Sequence, residues 1–233
     1  MTKGICQKIK SIFSKNALKI PFLSFQQVPK IYLISPDKIN NNFYAKLESV
    51  LATKSVSLFQ LRLKKYRDDD IIAISKKIKN ICHQYQVKFI LNDRFDLALK
   101  IGADGAHLGS SDAVLKDVMP QKPDNFIIGV SCYDDKKLID QAIKNNVDYI
   151  SLGAFFPTMT KKTTARPDIN LVQYCKNITN IPLVAIGGIN DQNCHELIVN
   201  KINYLAVISY IWNDDGNEAE NIKKLYQLSF KNK

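Results

Sequence analysis

From Lys30 onward, short apolar runs alternate with longer stretches in which apolar residues recur every three or four positions, the signature of strands followed by amphipathic helices. The runs predict strands at 31–34, 57–61, 88–91, 105–108, 126–130, 149–152, 183–186 and 204–208. Helices are expected at 42–52, 68–85, 94–100, shortly after Asp112, and at 134–145, 169–177, 191–199 and 217–230. Eight strand-then-helix units in about 200 residues, with no internal linker, predict a (β/α)8 TIM barrel. An open doubly wound sheet is the alternative. It favours fewer strands and a glycine-rich turn after the first, whereas Ser35-Pro36-Asp37 follows the first strand here. The units assign residues 29–233 to one barrel domain and residues 1–28 to an extension. That extension carries Lys3, Lys8, Lys10, Lys15 and Lys19 among spaced isoleucines, which permits a short basic amphipathic helix.

Composition narrows the function classes. At 233 residues and 45% apolar the chain can bury a full core, and no apolar run approaches the ~20 residues of a membrane span. The net charge of +11 could serve a nucleic-acid surface, but it is nearly all lysine spread along helices and loops, with arginine only at Arg62, Arg67, Arg94 and Arg166. A solvated surface is expected, without nucleic acid as partner. The cysteines Cys6, Cys82, Cys132, Cys175 and Cys194 are odd in number and scattered, so they read as reduced cytoplasmic thiols, not as a disulfide framework or a zinc site.

In a barrel the chemistry lies where strands end and helices begin. Asp93 and Asp112 follow two successive strands, so their carboxylates, with Asn92 beside them, can share one Mg²⁺; helix capping by the same aspartates is the competing reading. After the second strand, alternation turns Gln60, Arg62 and Lys64 toward the mouth and Leu61 and Leu63 away, giving two cations for a polyphosphate. Ser131 brings a hydroxyl after the fifth strand. A long polar loop, residues 153–164, follows the sixth, with Phe155-Phe156-Pro157 anchoring one end. Gly187-Gly188 and Ile208-Ser209 stand after strands seven and eight, the recurrent phosphate position of this fold. His107, inside a buried strand, is expected to be a hydrogen-bonded core residue without a catalytic role. One anionic subsite suits a diphosphate and the other a monophosphate, which implies an enzyme that joins two phosphorylated small molecules.

The ordered motifs Gln-Leu-Arg-x-Lys, Leu-Asn-Asp-Arg, Gly-Ala-Asp-Gly-x-His-Leu-Gly, Ile-Gly-Val-Ser, Phe-Pro-Thr-x-Thr-Lys, Ala-Ile-Gly-Gly-Ile and Val-Ile-Ser, within residues 30–212, resemble the thiamine-phosphate synthase family. The resemblance implies that Gln60, Leu61, Arg62, Leu63, Lys64, Asn92, Ser131 and Lys161 hold hydroxymethylpyrimidine diphosphate, with Mg²⁺ on Asp93 and Asp112. It implies that Thr158, Met159, Thr160, Gly188, Ile208 and Ser209 hold a thiazole phosphate. Catalytic charge stabilisation falls to Arg62, Lys64, Ser131 and Lys161. The chain departs from the family pattern at Leu63, Ser110 and Ala154, none of them a phosphate or metal ligand. A tautomerase branch of the same barrel uses a histidine shortly after Gly-Val-Ser, where Cys132-Tyr133-Asp134 stand here. A thiazole isomerase and a non-catalytic barrel binding a phosphorylated ligand are the alternatives. A homo-oligomer is compatible with the sequence.

Overall fold

The computed structural model describes residues 28–109, 115–158 and 166–230. The basic extension through residue 27, and with it Asp112, Met159, Thr160 and Lys161, lies outside the described residues. Eight parallel strands close on themselves in sequence order: β1 (Lys30–Ile34), β2 (Val56–Leu61), β3 (Lys88–Asn92), β4 (Gly105–Leu108), β5 (Ile127–Tyr133), β6 (Tyr149–Gly153), β7 (Leu183–Ile186) and β8 (Tyr204–Val207). The ring is sealed by β1 against β8, in register from Lys30↔Tyr204 to Leu33↔Val207. This is the expected TIM barrel.

Alternation along the strands divides the apolar residues into two compartments. Ile31, Leu33, Phe59, Leu61, Phe89 and Leu91 face outward and pack with the helices, while Tyr32, Ile34, Leu58, Ile90, Tyr149, Val184 and Ala206 fill the barrel interior. The helices are α1 (Phe43–Ala52), α2 (Asp68–Gln84), α3 (Phe95–Lys100), α4 (Leu115–Val118), α5 (Lys136–Lys144), α6 (Ile169–Ile178), α7 (His195–Val199), α8 (Ser209–Trp212) and α9 (Glu218–Leu228). Among the described residues no helix is long and apolar enough to cross a membrane.

Local side-chain chemistry moves several boundaries from the periodic expectation. The α5 helix begins two residues late because Asp135, not Asp134, caps it by accepting the Lys137 N–H at 2.8 Å. The α7 helix begins at His195 instead of 191: Asn190 Oδ1 accepts the N–H groups of Gln192 and Asn193, and Asn193 Oδ1 accepts that of Asn190. These side-chain bonds hold a turn where periodicity alone suggested helix. Ile208 leaves β8 and precedes the short helix α8, which the pattern did not reveal.

Candidate active site

One cavity of about 140 Å³ opens at the carboxyl ends of the strands, and all eight contribute to its wall. It brings together Gln60, Arg62, Lys64, Asn92, Asp93, Ser131, Thr158, Gly188, Ile208 and Ser209. Among the described residues, Leu61 and Leu63 are the expected substrate contacts that do not line it. Both side chains are buried in the outer compartment between strands and helices: alternation turns Leu61 outward at the end of β2, and Leu63, just beyond the strand, packs in the same compartment.

The β2–β3 sector is charged. Arg62 donates from Nη1 to Asp37 at 2.6 Å, and its backbone N–H donates to Ser35 Oγ at 2.9 Å, which ties the end of β2 to the loop after β1. Lys64 Nζ lies 3.2 Å from Asp93 Oδ2, and that carboxylate is largely shielded, with 19% of its side chain exposed. Asp93 itself has φ +67°, a left-handed backbone that aspartate tolerates better than most residues. Its N–H donates to the His107 carbonyl at 2.8 Å, holding it against β4. The α3 helix starts two residues later, with Arg94 at the N-cap position. Asp68 at the start of α2 is engaged by Arg94.

The oxygen donors Asp93 and Asn92 on one cavity wall are hard ligands of the kind Mg²⁺ takes in small number, water and substrate phosphate completing its shell.

The β7–β8 sector is built from backbone and small groups. Gly188 has φ +64°, and a Cβ there would lie 2.3 Å from the Pro157 carbonyl oxygen. Glycine is therefore required both by the left-handed turn and by the close approach. Phe155 and Phe156 donate their N–H groups to the carbonyls of Ile186 and Gly187, each at 3.0 Å, and their rings pack on the core. The anchored end expected for the loop after β6 is thus pinned to the end of β7, which sets Thr158 on the cavity wall beside Gly188.

Below the mouth runs a buried polar chain that sequence reasoning did not assemble. Gln60 Nε2 donates to the Tyr32 hydroxyl at 2.7 Å, and Tyr32 and Tyr149 share a hydroxyl–hydroxyl bond of 2.7 Å. His107 bonds Tyr149 through Nδ1 at 3.0 Å and Ser131 Oγ through Nε2 at 2.9 Å. His107 is buried and hydrogen-bonded as expected, but it also lines the cavity. Tyr32 and Tyr149 were missed as site residues. The available signal was their inward position on β1 and β6, where a phenol in a sealed interior needs a partner. Burial pushes both phenols well above their ordinary range, so they stay neutral hydroxyls. It likewise pushes the Cys132 thiol up to about 12, leaving no reactive thiolate beside Ser131.

The family model for thiamine monophosphate synthase matches residues 31–211. The thiamine-phosphate synthase of Pelagibacter ubique is 44% identical over 200 residues, covering 84% of this chain and 95% of the relative. That of Wolinella succinogenes is 39% identical over 173 residues, covering 74% and 79%. Among solved structures, the thiamine phosphate pyrophosphorylase from Pyrococcus furiosus superposes with a TM-score of 0.76 at 26% identity, covering 88% of this chain and 96% of its own. A 3-hexulose-6-phosphate synthase from Salmonella typhimurium, at 15% identity and a TM-score of 0.63 over 85% and 98%, shares the fold. Cavity and matches coincide, and the chain belongs to the thiamine monophosphate synthase family.

Proposed function

We propose that this transferase condenses hydroxymethylpyrimidine diphosphate with a thiazole phosphate, releasing pyrophosphate and forming thiamine phosphate. The observation that carries the reading is the coexistence in one cavity of the Arg62, Lys64, Asn92 and Asp93 sector with the Gly188 and Ser209 sector. The relatives named above bear the corresponding activity in their names.

The reaction breaks the bond between the pyrimidine methylene carbon and the diphosphate oxygen, and the electron pair leaves with pyrophosphate. The thiazole nitrogen then gives its lone pair to the methylene carbon. No proton need move in either step, so the protein's work is alignment and stabilisation of departing negative charge. Arg62 and Lys64 supply cations, and Ser131 supplies a hydroxyl. When bound by Asp93 and Asn92, together with Asp112 outside the described residues, Mg²⁺ adds charge neutralisation at the diphosphate. An isomerase reading is not favoured: the residue after Ser131 is Cys132, whose side chain is buried in the outer compartment.

The test is incubation with both substrates and Mg²⁺. Pyrophosphate should accumulate only when both substrates are present. A thiazole isomer formed without the pyrimidine, or no pyrophosphate at all, refutes the reading.

A further inference from the structure

We infer that Tyr32 and Tyr149 are positioning residues: a one-way hydrogen-bond relay through the barrel interior sets Gln60 to accept from a ligand and Ser131 to donate to it. The inference rests on the synthase reading for the identity of the ligand, and on geometry for the relay itself.

The direction follows from the donor inventory of each group. A carboxamide nitrogen can only donate, so Gln60 Nε2 gives a proton to Tyr32, and Tyr32 must give its own to Tyr149 at 2.7 Å. Tyr149 then donates to His107 Nδ1 at 3.0 Å. A neutral imidazole accepting at Nδ1 carries its proton on Nε2, which donates to Ser131 Oγ at 2.9 Å. Ser131 has one proton of its own, and it is turned away from the imidazole toward the cavity that Ser131 lines. At the other end the amide of Gln60, also on the wall, is left with its carbonyl oxygen for a ligand. Reversing any link reverses all of them, which would present an N–H at Gln60 and leave Ser131 able only to accept.

The packing holds the relay in line. The Tyr149 ring stacks on His107 with centroids 5.7 Å apart and meets Tyr32 edge to face at 5.6 Å. Gly129 on the neighbouring strand β5 makes room, since a Cβ there would come within 1.9 Å of the Tyr149 ring. The Tyr149 hydroxyl bonds Tyr32 on one side and His107 on the other, so it acts on Ser131 through His107.

Two measurements test this. In ¹⁵N spectra of histidine-labelled protein, with His107 assigned by substituting His83 and His195 in turn, His107 should be the Nε2-protonated tautomer, and Tyr149→Phe should abolish that fixed state. In steady-state kinetics Tyr149→Phe should lower kcat/KM about tenfold, the scale of one hydrogen bond. The same substitution in a Ser131→Ala background should cost almost nothing further, because its effect ends at Ser131. Tyr32→Phe provides the second variant and should mainly raise KM for the pyrimidine diphosphate by freeing Gln60 to rotate. An Nδ1-protonated His107 in the unaltered protein, or losses that multiply in the double variant, overturns the relay. If the unaltered protein releases no pyrophosphate, the synthase reading fails while the tautomer measurement still decides the relay.

Discussion

Asp93 shows how one residue's backbone becomes chemistry. The β3 strand ends at Asn92, and the next residue turns left-handed at φ +67° while its N–H stays bonded to the His107 carbonyl. Held in this way, the carboxylate lies on the cavity wall, 3.2 Å from Lys64, the cation assigned to the diphosphate. A shared Mg²⁺ would compete with Lys64 for Asp93, and charge would pass from protein to ligand contacts as the site fills. Asp93→Asn keeps a residue that tolerates this backbone and removes only the charge. It should raise the Mg²⁺ needed for half-maximal rate at least tenfold and lower kcat/KM by about 10², the effect of losing one preorganised electrostatic contact. Loss of a partly exposed ion pair costs no more than about 1 kcal/mol, so folding should persist. Pyrophosphate release across a Mg²⁺ titration measures it, and an unchanged Mg²⁺ requirement would remove Asp93 from the metal site. The strand end at Asn92-Asp93-Arg94 was legible, because a polar triplet interrupts an apolar run. The left-handed turn and the Lys64 contact were not, since they depend on how β2 and β3 come together in space.

Among the elements, α8 contributes most for its length. Its four residues are too few to show a helical period, so the sequence pattern could not reveal it. The same limit hid the side-chain turn before α7, whereas the ten-residue α1 and α6 and the long α2 were legible from spacing alone. The α8 helix is anchored by Trp212, whose indole N–H donates to the Ile34 carbonyl at 2.6 Å and whose ring lies 5.0 Å from that of Phe43 on α1. That bond ties the last residue of α8 to the end of β1, and the first residue, Ser209, then lines the cavity. Trp212→Phe preserves an aromatic against Phe43 and deletes the donor. The Ile34 carbonyl loses its indole partner, which costs about 1 kcal/mol, and α8 is free to shift. KM for the thiazole phosphate should rise about fivefold, with KM for the pyrimidine diphosphate nearly unchanged. Equal changes for both substrates would mean that α8 supports the whole mouth and not the monophosphate subsite.

At the scale of the whole barrel, function and stability are separated to opposite ends. At the amino-terminal face, away from the cavity, one device recurs around the ring. Asp104, Asp148 and Asn203 each precede an even-numbered strand, and each accepts through its side chain the backbone N–H of an odd-numbered neighbour: Phe89, Ile128 and Leu183, at 2.7 to 2.8 Å. In return each donates its own N–H to the carbonyl of that same residue, at 2.8 to 3.1 Å. The clamps join β3 to β4, β5 to β6 and β7 to β8 where the ladders begin, satisfying strand N–H groups that burial would otherwise orphan. Asn203 performs the task without charge, so charge is an addition at Asp104, where Lys88 and His83 also bond the carboxylate. Burial opposes ionisation of Asp104, but the Phe89 N–H, Lys88 and His83 outweigh it and hold its carboxyl below the ordinary range. A depressed folded pKa contributes stability that is fully present above the unfolded value, near pH 4, and is lost as pH falls through the folded value. Asp104→Asn should therefore retain the clamp, lose part of the stability at pH 7, and flatten the decline below pH 4. Asp104→Ala leaves the Phe89 N–H unpaired and should cost about 1–3 kcal/mol at pH 7, a fall in Tm of several degrees for a chain of this size. Both variants should keep kcat/KM within about twofold at a temperature where they remain folded, because Arg62, Lys64, Asp93, Ser131, Gly188 and Ser209 stand at the opposite end of the strands. Thermal melts at several pH values, beside pyrophosphate release at pH 7, read the two ends independently. An Asn variant as unstable as the Ala variant would show that the ion pairs, and not the backbone clamp, hold this face.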